Sequence, residues 1–186
     1  MGLDIVAYSK LEKEPKKEIK EALDKMLSNR FGKEVIEVIP GDSNPMAQDL
    51  TQGSWLATNE TEEHHFRAGS YSTYNQFRDH LSNALLGVPP SSVWEDETSF
   101  EGKAGYEMIN FSDCQGVIGW TEAGKLYNDL VANREKFRNY LCEFYDVDPQ
   151  SEDDVETHMV DYMMDVYENF IIAFDYAKEN GIVIYC

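Results

Sequence analysis

The sequence predicts an α+β fold: one domain over residues 1–186, with a mostly antiparallel sheet and three or four packed helices. Three observations predict it. Short alternating segments at both ends, Leu3 to Ser9 and Ile182 to Tyr185, read as strands. Two long segments near the C-terminus place apolar residues at helical spacing. Strands and helices then follow one another irregularly, without the regular alternation of a parallel α/β sheet. The chain has 186 residues, 42% hydrophobic and 12% aromatic, enough to bury a sizeable core.

The elements follow in order. Pro15 suits a first helical turn, and Ile19, Ala22, Leu23, Met26 and Leu27 give residues 15–29 an apolar stripe. Val35 to Ile39 is a strand stopped by Pro40-Gly41, and residues 41–53 are a long loop. Ser54 to Thr58 is a short strand expected to form a hairpin with 64–69. A helix runs from about Ser72, its expected N-cap, to Leu86, with Tyr74, Phe77, Leu81 and Leu85 inward. Gly87 and Pro89-Pro90 end it. Residues 88–105 read as irregular, with Trp94 and Phe100 as packing anchors, and Tyr106 to Phe111 reads as a strand. Thr121 to Tyr145 is a long helix. Ser151 caps a second one that runs to about Asn180. Met159, Met163 and Met164 on it suit either core filling or an adaptable docking surface.

Sixteen basic residues against 35 acidic ones give a net charge of −19. The imbalance is concentrated late. Residues 1–93 carry 10 basic and 14 acidic residues, and residues 94–186 carry 6 and 21. Direct nucleic-acid binding needs a basic footprint and is excluded on this count. An acidic face can instead cover a basic groove on another protein. No apolar run approaches the roughly 20 residues of a membrane helix, and no secretory signal is visible. Cys114, Cys142 and Cys186 are odd in number and widely spaced, which is no disulfide framework and points to the cytoplasm. No metal site is expected. His64 and His65 point to opposite sides of a strand, and a calcium-loop pattern at 146–154 is broken by Pro149. No phosphate-binding fingerprint or cofactor motif is present.

Two stretches carry the candidate chemistry. In the first, Gly69-Ser70-Tyr71-Ser72-Thr73 opens a helix, where unpaired backbone N–H groups favour an anion. Arg67, Ser70, Ser72, Asn75 and Arg78 could hold a phosphate or carboxylate, and Tyr71 and Tyr74 could stack on a base. The competing reading has Ser72 as a cap, both arginines paired with acids and the tyrosines packed. In the second, Asp113, Cys114 and Gln115 precede Gly116 in a polar turn. Cys114 could be a nucleophile beside a histidine, or simply an inert buried thiol.

Gly69-Ser70-Tyr71-Ser72-x-Tyr74-Asn75-x-Phe77-Arg78, with Phe111-Ser112-Asp113-Cys114-x-Gly116-x-Ile118-Gly119, resembles a family of bacteriophage and prophage proteins of no established activity. The opening Met1 to Ile5 and the closing aromatic helix and strand are similar too, so the likeness covers about half the chain. The acidity of residues 139–186 departs from that family. The resemblance implies a phage-linked accessory protein in the host cytoplasm and transfers no catalytic residue. Three functions follow. The two turns could form one pocket for an anionic, nucleotide-like small molecule held without turnover. The acidic half could inhibit a basic host nuclease or CRISPR effector by contact. Cys114 could serve a small hydrolase or transferase.

Overall fold

In a computed structural model, residues 2–13, 35–38, 53–56, 60–111, 116–147 and 155–186 are described, 35–38 and 53–56 by their backbone alone. The expected helix over 15–29, most of the 41–53 loop and the Ser151 cap lie outside them.

Alternation explains the main sheet. Strand β1 (Gly2–Tyr8) buries Leu3, Ile5 and Ala7 on one face. Burying each large aliphatic side chain contributes about 1.5–3 kcal/mol. That face needs strands on both sides and helices above it. Strand β5 (Glu63–Ser70) pairs antiparallel along one side of β1, and β7 (Ile182–Tyr185) along the other. Strand β6 (Gly116–Gly119) closes the order β5-β1-β7-β6, antiparallel throughout. The α+β expectation is met.

The strand at Gly53–Leu56, β4, does not pair with 64–69 as expected. It lies between β2 (Glu12–Lys13) and β3 (Val35–Val38) in a separate antiparallel sheet. Strand β5 takes β1 instead, because Phe66 and Ala68 extend the buried face that β1 begins.

Three long helices cover that face: α1 (Tyr71–Leu86), α5 (Trp120–Tyr145) and α6 (Val155–Ala177). Three short ones intervene: α2 (Pro90–Glu95), α3 (Glu97–Phe100) and α4 (Tyr106–Asn110). Two of these regions correct the sequence reading. Residues 90–100 are helical because Pro90, with its fixed φ, opens a helix as readily as it ends one. Tyr106–Asn110 is a helix and not a strand. Gly105, at φ 71°, turns the chain, its N–H donates to Asp129 Oδ2 at 3.0 Å, and Ile109 N–H donates back to Gly105 O. Lys125 of α5 also pairs with Glu107 at 2.6 Å, fastening the short helix.

An aromatic stack joins the layers. Phe170 of α6 lies among Phe66, Tyr74, Phe77, Phe174 and Tyr185. Met163 and Met164 are buried here, so they fill the core. No described helix is long and apolar enough to cross a membrane.

Candidate functional site

The sheet places the ends of the two predicted turns at one end of the molecule. Ser70 pairs with Gly2 at the β5 edge, and Gly116 pairs with Tyr185 at the β6 edge. Three strand spacings of about 4.8 Å separate those edges, about 14 Å in all. Asp113, Cys114 and Gln115 themselves lie outside the described residues.

The first turn is self-contained. Ser70, not Ser72, is the N-cap of α1, and its Oγ accepts from Thr73 N–H at 3.1 Å. Ser70 Oγ also lies 2.7 Å from both Ser72 Oγ and Thr73 Oγ1. The helix starts two residues earlier than expected because Gly69, at φ 101°, supplies the bend that releases β5 into α1. The hydroxyls expected to hold an anion are spent on one another and on the cap.

The other predicted residues separate. Phe66 meets Phe170 edge-on beneath the sheet at 5.0 Å, so the adjacent Arg67 points to the opposite face. There it is exposed, its guanidinium lying over Gly2, where any Cβ would strike it. Tyr71 is half-buried against the core, and Tyr74 is wholly buried, stacked on Phe77. Tyr74 therefore offers no ring face to a base. Eight residues of helix rise, about 12 Å, separate Ser70 from Arg78. One small anion cannot touch Arg67, the serine turn and Arg78 together.

Arg78 and Asn75 do belong together. Arg78 donates through Nη1 to Phe111 O and through Nη2 to Asn75 Oδ1, both at 2.6 Å. The first of these bonds ties α1 to the residue that leads into the second turn. Trp94 of α2 lies over the guanidinium at 5.0 Å and Tyr74 at 5.8 Å. Arg78 is only 7% exposed. Its Nε–H has no acceptor, and it forms no ion pair among the described residues. A guanidinium has five N–H donors, and two bonds leave part of that capacity unused. Desolvating such a charge is costly, and two ring faces and two neutral acceptors offset only part of it.

A cleft of about 410 Å³ opens beside this group, within the size range of small-molecule sites. Asn75, Arg78 and Asp79 of α1 form one wall, and Pro89, Pro90 and Trp94 form the other. From the sequence, Pro89-Pro90 reads as a helix stop and Trp94 as a packing anchor. Trp94 is 46% exposed, although its Nε1 donates to Ile109 O at 3.3 Å. A proline pair after Gly87, with a tryptophan four residues on, was the available signal for a second wall.

His80 lies one position beyond Asp79. Its Nε2 is 3.0 Å from Tyr145 Oη, and Phe144 meets its ring edge-on at 4.7 Å. Burial holds its pKa below the ordinary histidine value, against a smaller upward pull from Asp79. No family model matches the chain, and neither a curated protein nor a solved structure matches it.

Proposed function

We propose that the protein binds a small anionic molecule in the cleft beside Arg78 and holds it without turnover, as a phage-type accessory protein that sequesters a ligand would. One observation carries this reading. On a chain of net charge −19, a nearly buried arginine lines a cleft and has no carboxylate partner among the described residues. A bound anion beside the guanidinium would supply the missing countercharge.

Native mass spectrometry of protein purified from its expressing cells tests it. A small mass should be retained in the wild type and in Arg67→Ala. It should be lost in Arg78→Lys, which keeps a charge but not the planar fork. A mass retained in Arg78→Lys, with circular dichroism unchanged, would overturn the reading. So would loss of the mass in Arg67→Ala alone.

A second reading rests on a separate observation. Asp161, Asp165, Glu168, Asp175 and Glu179 recur along α6 and the turn that follows, at spacings that place them on one side. The row spans about 27 Å at helical rise. Glu168 pairs with Arg134 and Asp175 with Lys178, while Asp161, Asp165 and Glu179 have no ion pair among the described residues. Such a row suits contact inhibition of a protein with a basic nucleic-acid channel. Reversing Asp161 and Asp165 to lysine would then abolish inhibition of a nuclease or CRISPR effector. Arg78→Lys would leave inhibition intact, and binding would weaken steeply with salt.

A further inference from the structure

We infer that the cleft selects a small zwitterion of the amino-acid class over a bare anion. The inference rests on the reading of the cleft as an anion site and adds its specificity. The walls are not uniformly basic. Arg78 is 7% exposed, whereas the next residue, Asp79, is exposed, and both line the cleft. Neither forms an ion pair with the other or with any other described residue. The Asp79 backbone carbonyl accepts from Asn83 Nδ2 at 2.8 Å, a contact that leaves the carboxylate uninvolved. The cleft therefore presents a buried cation and, one residue away, an exposed anion.

That arrangement discriminates by charge. A phosphate monoester or a nucleotide brings two or more negative charges to Arg78 and sets the excess against Asp79. A carboxylate brings one, which a guanidinium receives with matched geometry. An ammonium group on the same short carbon frame would then meet Asp79. Pro89, Pro90 and the indole give a short apolar side chain a surface to lie on.

A matched pair of probes isolates the ammonium group. L-leucine and 4-methylpentanoate share a carboxylate and a branched tail and differ by the amino group alone. Inorganic phosphate serves as the third probe. The Arg78 Nε–H and Trp94 Nε1–H resonances of the full chain report occupancy in an NMR titration. L-leucine should bind more tightly than 4-methylpentanoate by about two- to fivefold, the strength of a solvent-exposed ion pair. Asp79→Asn should level the two. Phosphate should bind more weakly than L-leucine in the wild type and gain in Asp79→Asn. Equal binding of the matched pair in the wild type, or phosphate binding tightest, would overturn the zwitterion inference and leave the anion cleft standing. Shifts from none of the three probes would overturn both.

Discussion

At the residue scale, the serine turn and His80 make separate predictions. Of the two serines, Ser70 is the one that accepts a backbone N–H of α1 among the described residues. Ser70→Ala should therefore cost about 1 kcal/mol of unfolding free energy, while Ser72→Ala should cost a few tenths at most. Urea denaturation of the two variants checks this, and equal losses would return the cap to the position the sequence favoured. His80 predicts a pH dependence. Its ring is buried against Tyr140, Phe144 and Tyr145, and Asp79 is the nearby charge. Burial depresses its pKa in the folded state, so below the ordinary value of 6.5 the unfolded chain takes up the proton first. The stability contribution is complete above that pH and is lost as pH falls through the folded-state pKa. His64 is shifted the same way, also chiefly by burial. The urea midpoint should fall between pH 7.5 and 5.5, and it should fall less in His80→Gln. An equal fall in both proteins would remove His80 as the source.

At the scale of elements, the helical pair α5 and α6 holds the sheet's cover together. Phe137 stacks on Tyr167 at 4.7 Å, and Tyr167 Oη donates to Leu130 O at 2.6 Å. Phe137→Ala should cost about 3–5 kcal/mol by leaving a cavity, whereas Tyr167→Phe should cost about 1 kcal/mol for one hydrogen bond. Thermal unfolding would rank them, and a larger loss in Tyr167→Phe would make the hydrogen bond the main tie. These long helices were legible in the sequence because twenty or so residues of regular apolar spacing outweigh local accidents. The closing strand and β1 were legible for a similar reason, as short apolar runs at the chain's two ends. The short helix α4 was not. Tyr106 to Asn110 has strand-like composition, and its helical form depends on Lys125 and Asp129, about twenty residues away. The partner of β4 was hidden for the same reason, since an apolar strand fits many edges and only the whole sheet decides. The candidate site was legible in part. Asn75 and Arg78 stand out in the sequence, Asp79 beside them on the same helix does not, and Pro89 and Trp94 join them only through the packing of α1 against the segment that opens α2. Arg67 was misplaced because neighbouring strand residues face opposite ways, and the sequence does not say which face the helices take.

At the scale of the whole molecule, charge sets the last prediction. Sixteen cations cannot neutralise 35 acids, and the excess sits in the half that contains α5 and α6. Ion pairs such as Lys125–Glu107 and Arg134–Glu168 work against that repulsion locally. Exposed pairs are individually weak, however, and the uncompensated acids outnumber them. Repulsion among like charges acts over the screening length, about 30 Å at 0.01 M salt and about 8 Å at 0.15 M. The acidic row on α6 spans about 27 Å at helical rise, so at low salt its ends interact and at physiological salt only neighbours do. Salt should therefore stabilise this fold. A relief of about 1 kcal/mol moves Tm by about 2–4 °C in a chain of this length. Calorimetry between 0.01 and 0.3 M sodium chloride should show a rise of that order. The double change Asp161→Asn with Asp165→Asn should raise Tm at low salt and flatten the slope. A Tm that falls with salt would mean the ion pairs dominate, and the acidic row would then be a balanced surface with no unmet demand for a basic partner.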